Sequence, residues 1–336
     1  MNSIETATTM SEFKALPCLA HTPTLAVLLL FLTARAFSGE SATADLSFKL
    51  APDRTARYVW TTTSNTETSG RERGEAFSFK ADLSIVMNVV FKGLAPKGPG
   101  MRLGLRIENY AYNDKKTMGA EVGEIQASRG KIKVIQNGKT VVDSDNDISV
   151  EDVKEFQKSL KSIEDGQMIV TLEPNGKEVG EAAGESTVID TIKATGAEGM
   201  MRLLPGRDLT PGQTWEDSQS MPSIATFKLA KPLVVRSTST FAGWETKDGK
   251  RVARIDIKTI WDPAELKGEN GEGMLVEVSH VQGVGAGTAL FDPASGQFVE
   301  GLLEATSRYR IDGKKDGLST GLDVISKTKF TFKQVP

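Results

Sequence analysis

Residues 77–91, FSFKADLSIVMNVVF, decide the fold class of this chain. Apolar side chains recur at every second position, and a period of two places alternate side chains on opposite faces of a pleated strand. The segment therefore predicts a long β-strand with one buried face and a bulge near Ala81 or Val90, where the alternation breaks. The inward set is Phe77, Phe79, Leu83, Ile85, Met87 and Val89, and the outward set is Ser78, Lys80, Asp82 and Ser84.

Similar strand patterns, many of them rich in Val, Ile and Thr, extend along most of the chain. They cover residues 55–68, 101–107, 131–135, 140–142, 168–172, 226–241, 249–261, 274–281, 288–291, 297–311 and 322–335. Short polar turns join them, among them Asn137-Gly138, the dipeptide typical of two-residue β-hairpins. Long strands with short connections favour antiparallel meanders over βαβ units.

One stretch has helical periodicity. Residues 149–163 begin with a serine that can cap the first turn and carry apolar side chains at three- and four-residue intervals. Gly166 can end this helix in the left-handed conformation. A weaker helical pattern covers residues 186–194. The predicted fold class is mainly β (α+β): long antiparallel meander sheets with one or two packed helices.

Two short segments resemble each other. Residues 50–55 read LAPDRT and residues 209–214 read LTPGQT, and each precedes a strand that contains an aromatic residue. A Phe-x-Gly step follows each of them, at residues 91–93 and 241–243. A duplicated curved half-barrel and a chance similarity between amphipathic strands both fit this pattern. The predicted domains are one meander over residues 45–165, with the helix at 149–163, and a second over residues 166–336.

An export signal precedes the strands. Residues 24–34, TLAVLLLFLTA, form an apolar run of 11 residues. A membrane span needs about 20 such residues, whereas a signal-peptide core is shorter. Small residues at positions 34 and 36 predict a signal peptide over residues 1–36, and those at 42 and 44 allow cleavage after residue 44. Translation starting at Met10 would give a more ordinary signal than Met1.

The predicted location is periplasmic or extracellular. Cys18 precedes the apolar run, so cleavage removes it and the mature chain is not expected to be a lipoprotein. With 336 residues the chain can bury a core without disulfides. Its net charge of -3 shows neither the basic footprint of a nucleic-acid-binding protein nor an acidic tail. The mature chain is also expected to lack a transmembrane segment.

Three segments resemble those of a family of exported bacterial β-rich proteins that form a domain of unknown function. They are residues 170–177 (VTLEPNGK), 209–215 (LTPGQTW) and 287–296 (GTALFDPASG). In that family such segments recur as a "pdG" hairpin, a "vGdtW" strand start and a "G-x-x-x-FD-x-x-xG" hairpin. Each motif consists of residues typical of turns, so the resemblance implies a β-rich exported domain and implies no functional residue.

The mature sequence offers few catalytic groups. His280 is its single histidine and lies in an alternating strand, so we expect a sheet residue rather than a general base. Residues 184–188, GESTV, lack the second glycine of a nucleophile elbow. Residues 283–287, GVGAG, continue with Thr288 where a dinucleotide loop needs its third glycine. We expect a strand, a bulge or a close backbone approach there.

The acidic residues 143–151, DSDNDISVE, are the best metal candidate in the sequence. A calcium loop needs glycine at its sixth position and a bidentate glutamate at its twelfth, and this chain has Ile148 and Lys154 there. We therefore predict a solvated loop whose acids favour the start of the following helix. No catalytic, cofactor-binding or metal-binding residue is predicted, and no cofactor.

The resulting functional hypothesis is an exported non-catalytic binding, carrier or envelope scaffold protein. Its partner would be an unknown small or lipid-like ligand or an envelope protein. One alternative is a carboxylate-dependent glycan hydrolase, which needs two acids about 5–9 Å apart and sugar-stacking aromatic residues. The four tryptophans, Trp60, Trp215, Trp244 and Trp261, are scattered singly, which favours packing roles. The other alternative is a cell-surface adhesion or assembly module.

Overall fold

The computed structural model describes most of the chain after the predicted signal peptide. The described residues are 43–72, 75–145, 154, 157–158, 161–164, 166–180, 182–184, 203–224, 227–262, 265–269, 274–315 and 318–336. Nearly all of them are β-strand, so the mainly β fold class predicted from the sequence is confirmed.

Seventeen strands lie within the described residues. They are β1 (Ala44–Asp45), β2 (Thr55–Glu72), β3 (Glu75–Leu94), β4 (Met101–Met118), β5 (Glu121–Ser128), β6 (Lys131–Gln136), β7 (Lys139–Asp143), β8 (Gln167–Leu172), β9 (Ala183–Gly184), β10 (Asp208–Leu209), β11 (Thr214–Ile224), β12 (Phe227–Lys247), β13 (Lys250–Trp261), β14 (Leu266–Glu269), β15 (Leu275–Asp292), β16 (Gln297–Lys315) and β17 (Leu318–Val335).

Fifteen of these strands form one antiparallel sheet. Its order is β11-β12-β13-β15-β16-β17-β2-β3-β4-β5-β6-β7, with β14 between β12 and β15, and β8 between β4 and β9. Neighbours in this order are mostly neighbours in the sequence, as a meander requires. The pairing of β17 with β2 joins the last strand to the first long one, so residues from both predicted meanders belong to one sheet.

Strand β3 confirms the prediction from its alternating sequence. Ile85 is 5% exposed and Met87 is 1% exposed, whereas Lys80 lies in the solvent. Phe77 and Phe79 are half-buried, because they lie toward the outer end of the strand. The expected bulge is present, but the extra residue is Glu108 in β4, opposite the step from Asn88 to Val89. The backbone of β3 is therefore regular, but Val90 is buried as well, at 3% exposure between Val89 and Phe91.

The buried side chains of the sheet share one face, which we call the inner face. They form an upper cluster, which includes Trp60, Phe91, Ile132, Phe241 and Phe332, and a lower cluster, which includes Leu233, Trp261, Val278 and Ile311. Ile132 in β6 and Phe241 in β12 lie far apart in the strand order but in the same cluster. The sheet therefore curves around its inner face and leaves the opposite, outer face to solvent.

The described part of the predicted helix is helical. Lys154, Gln157, Lys158 and residues 161–164 have helical geometry, and Ile163 is fully buried in the upper cluster. The Gly166 N–H donates to the Ser162 carbonyl at 3.0 Å, at the predicted end. The rest of residues 149–163, and residues 186–194, lie outside the described residues. Within the described part of the chain, no helix has the length and apolar content needed to cross a membrane.

Residues 43–51 form an extended segment across one end of the upper cluster, which we call the N-terminal strap. Its alternate residues Ala44, Leu46, Phe48 and Leu50 are at most 6% exposed. Backbone hydrogen bonds tie it to three separate loops: the Leu46, Phe48 and Lys49 N–H groups donate to the carbonyls of Arg207, Pro174 and Gly296. The strap thus completes the core at the position where the strand ends would otherwise be open.

The two similar segments before β2 and β11 make the same turn. The first has the hydrogen bonds Asp53 N to Gly93 O (3.0 Å), Arg54 N to Ala51 O (3.1 Å) and Gly93 N to Arg54 O (2.9 Å). The second has Gly212 N to Phe241 O (2.7 Å), Gln213 N to Thr210 O (3.1 Å) and Phe241 N to Gln213 O (2.9 Å). The two segments therefore share one turn geometry. The hydrogen bonds place Gly93 of the first turn and Phe241 of the second at equivalent positions. The Phe-x-Gly steps in the sequence would instead pair Phe91 with Phe241, which differs by two residues.

Candidate functional site

A groove on the outer face is lined by a group of charged side chains. Its volume is about 1090 Å³, and we call it the charged groove. Its six charged side chains are Arg71, Lys267, Glu277, Arg310, Asp312 and Asp323. Ligand sites typically have volumes of ~300–1,000 Å³, so the groove has the size of a binding site.

The register of five strands brings these charges together. Glu277 in β15 lies opposite both Lys267 in β14 and Asp312 in β16. Asp323 in β17 lies opposite Arg310 in β16. Directly opposed residues have Cβ atoms about 4.5–5.5 Å apart, so three carboxylates and two cations lie on one compact surface, with Glu277 and Asp312 next to each other.

Arg310 is the centre of the groove. Its guanidinium donates to Asp312 from Nε (2.9 Å to Oδ2) and from Nη2 (2.9 Å to Oδ1), and to Asp323 from Nη1 (3.0 Å). The hydrogen bond to Asp312 is the main cause that raises the pKa of Arg310. A Cβ at Gly321 would come within 2.6 Å of Arg310 Nη2, so this glycine lets the guanidinium lie flat on β17.

The floor of the charged groove is mostly backbone. Four glycines line it, Gly70, Gly268, Gly313 and Gly321, so peptide groups are accessible between the charged side chains. Leu275 adds an apolar surface and is 65% exposed. Among the described residues Arg71 makes no ion pair, which leaves its guanidinium available to a ligand. The groove therefore offers donors, acceptors and several apolar contacts, since Phe77 and Val276 also line it.

A second groove lies on five neighbouring strands, β2, β3, β4, β16 and β17. It has a volume of about 700 Å³ and is lined by side chains that include Asn65, Asp82 and Asn113, so we call it the amide groove. Asn65 Nδ2 donates to Asp82 Oδ1 at 2.5 Å, and Lys329 pairs with Glu304 at 3.2 Å. The outer face thus carries two polar concavities along one pair of hairpins.

The carboxylates that line the two grooves are exposed to solvent. Asp82 and Glu304 lie on β3 and β16, with two strands between them, so they are at least about 14 Å apart. Glu277 and Asp312 are close enough for a glycan hydrolase, but their side chains are 72% and 44% exposed. An acid catalyst in such enzymes is usually buried in an apolar pocket, which keeps it protonated.

His280 lies away from both grooves' lining residues. It occupies a bulge in β15, between Ser279 and Gln282, with a φ of 53° and an exposed side chain. A positive φ is several-fold enriched for histidine compared with other non-glycine residues but still uncommon. His280 is therefore an exposed bulge residue, where the sequence predicted an ordinary strand position.

The glycine-rich residues 283–287 lie within β15, and their close approach has a clear cause. A Cβ at Gly283 would come within 2.3 Å of the Trp261 ring, so the glycine allows the indole to pack flat against the strand. The four tryptophans have packing roles. Trp60 and Trp261 are buried, the indole of Trp215 donates to the Leu203 carbonyl at 3.1 Å, and Trp244 lies under the Arg251 guanidinium.

The start of the acidic segment is engaged in local contacts. Asp145 pairs with Lys131 at 2.6 Å, the Ser144 hydroxyl accepts from the Ile132 N–H at 2.8 Å, and Asp143 accepts from the Asp145 N–H at 3.1 Å. Residues 146–151 lie outside the described residues, as do residues 185–188 of the GESTV segment. No cluster of three or more metal-ligating side chains occurs in the part of the chain that the structure describes.

Sequence analysis did not find the grooves. Their charged residues are scattered over residues 71–323 as the polar half of alternating strands, and only the register places them side by side. The glycines that form the floor were a usable signal, since glycine inside a strand often marks a close approach of backbone or ligand.

Comparisons with known proteins identify no family. No protein-family model matches the chain, and no curated protein matches it. Solved structures similar to parts of it include the translocator domain of the autotransporter NalP from Neisseria meningitidis, at 7% identity and a TM-score of 0.18, covering 81% of this chain and 88% of that one.

Two further structures are similar at the same level. Pseudomonas aeruginosa OpdQ has 5% identity and a TM-score of 0.19, and the match covers 83% of this chain and 99% of that one. A DUF1329 family protein from Desulfovibrio piger has 10% identity and a TM-score of 0.12, covering 79% and 83%. At these TM-scores the similarities carry no conclusion about this chain.

Proposed function

We propose that this protein is a non-catalytic binding protein of the cell envelope that holds an extended polar ligand along the outer face of its sheet. The observation that carries the proposal is the charged groove. It combines a ligand-sized volume, a guanidinium fixed by two carboxylates and an unpaired arginine, Arg71, on one rigid sheet.

A rigid sheet suits recognition of such a ligand. Side chains on strands are more precisely placed than side chains on loops, so little ordering is needed on binding. The two grooves follow the same hairpins over the outer face, so a ligand longer than one groove can contact both. Fixed donors and acceptors on one surface match a molecule that carries both kinds of group.

The interior favours this outer-face site over an internal lipid site. In the described residues the upper and lower clusters of apolar side chains occupy most of the inner face. An acyl chain would have to displace packed core residues, at a cost of several kcal/mol for each large side chain moved. We therefore keep the hypothesis that this is a binding protein, and we propose that its ligand lies on the outer face of the sheet.

The test is ligand capture from the native host. Intact protein purified from its host should show an added mass in native mass spectrometry. The double variant Arg71→Glu/Lys267→Glu should lose that mass, because it reverses two of the three cations of the charged groove. The variant Lys97→Glu, which changes an exposed loop residue outside both grooves, should keep it. If both variants kept the added mass to the same extent, the result would contradict the proposed site.

A further inference from the structure

One cross-strand row on the inner face separates the two apolar clusters. It runs Ser237, Thr259, Gly285, Ala305, Thr328, Ser64, Leu83 and Asp114, each residue directly opposite the next on the neighbouring strand. We call this row the waist. Most of its members are small or carry a hydroxyl group, whereas the rows above and below it contain Phe330, Ile257 and Trp261.

The side chains at this level are smaller than those in the rows above and below it. Protein interiors are packed to nearly crystalline density, so such a row is either covered by a large neighbour or lines a cavity. The Trp261 ring covers Gly283, one position below the waist. The hydroxyl oxygens of Ser64 and Thr328, on the two middle strands of the waist, are 3.2 Å apart.

Buried polar atoms without a hydrogen-bond partner lie in the waist and in the inner-face rows next to it: two in the waist, two one row away and one two rows away. Among the described residues there are five such side-chain atoms: Trp60 Nε1, Thr62 Oγ1, Asp114 Oδ1, Thr259 Oγ1 and Ser307 Oγ. All five side chains are at most 8% exposed. Cross-strand register places every one of them on the inner face, either in the waist or within four residues of it along its own strand.

Such a concentration needs a physical cause. More than about nine in ten buried polar groups in proteins have a partner, and leaving one without costs about 1–3 kcal/mol. Five unpartnered atoms of one inner face would form the least favourable region of the molecule. The arrangement becomes favourable if small molecules at the waist supply the missing hydrogen bonds.

We propose that the waist is an internal binding site for small neutral molecules whose hydroxyl groups both donate and accept hydrogen bonds. Water and a small polyol share this chemistry. The hydroxyls of Thr62, Thr259 and Ser307 can donate or accept, the indole of Trp60 donates, and Asp114 Oδ1 accepts. Lys116 Nζ lies 3.5 Å from Asp114 Oδ2, so the pair adds no net charge and the site suits a neutral occupant.

The first test uses substitutions that keep the shape and remove the oxygen. In Thr62→Val and Thr259→Val, each change removes one hydrogen bond to the bound molecule and should lower the folding equilibrium constant about five-fold. If the oxygens had no partner in solution, valine would relieve a desolvated polar group and raise that constant. Stabilisation of both variants, measured by urea unfolding, would overturn the proposal.

Two further variants calibrate this measurement. Thr328→Val removes a hydroxyl with a visible partner, Ser64, and should lower the constant in either case. Thr238→Val changes an exposed threonine on the outer face of β12 and should have little effect. The waist variants should behave like Thr328→Val.

The second test is direct and distinguishes the occupants. A crystal structure at a resolution of about 1.8 Å or better should show density within hydrogen-bond distance of Thr259 Oγ1 and Asp114 Oδ1. Native mass spectrometry then separates the sources, since a polyol adds a fixed mass and water leaves the mass of the chain alone. A waist without density at those atoms would overturn the proposal even if a variant failed to fold.

Discussion

Single residues in this protein often matter through the space they leave. Gly283 lies under the Trp261 indole, and Gly301 lies under the Phe332 ring, with Cβ-to-ring distances that would be 2.3 and 2.2 Å. Both glycines are strand residues on the inner face, where a larger side chain would be expected. The glycines in this part of the chain therefore serve core packing, which the sequence motif GVGAG alone could not distinguish from a loop.

The first prediction concerns this packing. Gly283→Ala should cost about 1–3 kcal/mol of unfolding free energy, because the new Cβ overlaps the Trp261 ring. In the double variant Gly283→Ala/Trp261→Leu, the alanine should cost clearly less than it does alone, since the overlapping ring is gone. Urea unfolding of the four proteins checks this. Strictly additive effects would show that the two residues do not meet.

A second prediction compares the two faces of β3. Ile85→Asp should lower the unfolding free energy by several kcal/mol, because it removes a core side chain that is 5% exposed and buries an unpaired charge. Lys80→Asp, made in the same strand on the outer face, should leave stability nearly unchanged. Thermal melts of both variants measure the difference. Similar melting temperatures would contradict the assignment of the faces.

At the scale of elements, the turns before β2 and β11 are local solutions of one problem. Each turn leads into a strand, and its backbone forms hydrogen bonds with the strand that follows that one. Both do so with a residue of positive φ at the same position, Asp53 at 61° and Gly212 at 90°. Glycine adopts that conformation freely and aspartate tolerates it, whereas β-branched residues do not.

The third prediction follows from the equivalence of these turns. Gly212→Val and Asp53→Val should each destabilise the protein by about 1–3 kcal/mol, because both force a β-branched residue to positive φ. Asp53→Gly should be neutral or slightly stabilising. Urea unfolding of the three variants provides the check. If valine were tolerated at one turn only, the two turns would not be conformational equivalents.

At the scale of the whole molecule, the core depends on contacts between distant parts of the chain. The Tyr58 hydroxyl donates to the Phe298 carbonyl at 3.0 Å, and this bond joins β2 to β16 inside the upper cluster. Tyr58, Tyr110 and Tyr309 are all buried, and their phenols are neutral in the folded state. Burial raises the pKa of Tyr309 to about 12 and raises those of the other two above the usual value.

The fourth prediction is therefore an alkaline loss of stability. Unfolded tyrosines ionise near pH 10 while the folded ones keep their protons, so the unfolded state binds fewer protons above that pH. Stability should be fully present below about pH 10 and fall as pH rises toward 12, by about 1.4 kcal/mol per pH unit for each buried tyrosine. Urea unfolding at several pH values should show a shallower decline for Tyr309→Phe than for the parent protein. If the unfolding free energy fell equally steeply with pH in both proteins, Tyr309 would not contribute to the alkaline loss of stability.

The fifth prediction concerns the start of the mature chain. Ala44 is 1% exposed and pairs with Leu209, so the strap needs this residue. N-terminal sequencing of exported protein should therefore give Phe37 as the first residue and not Asp45. A retained Met1 or Met10 would show instead that the predicted signal peptide is not removed.

Local chemistry in the sequence was sufficient to predict the strands and many turns. The alternation in residues 77–91 predicted β3, and Asn137-Gly138 predicted the hairpin of β6 and β7, where both residues have positive φ. These features depend on side-chain period and turn conformation, which involve residues close in sequence. The helix ending before Gly166 was predictable for the same reason.

Only the tertiary structure decided what those strands build together. The pairing of β17 with β2 closes one sheet over both halves of the chain, and the register across eight strands creates the waist and the charged groove. A one-residue change of register would move every side chain of a strand to the other face. Sequence alone therefore determined which residues alternate, and long-range strand pairing determined which of them meet.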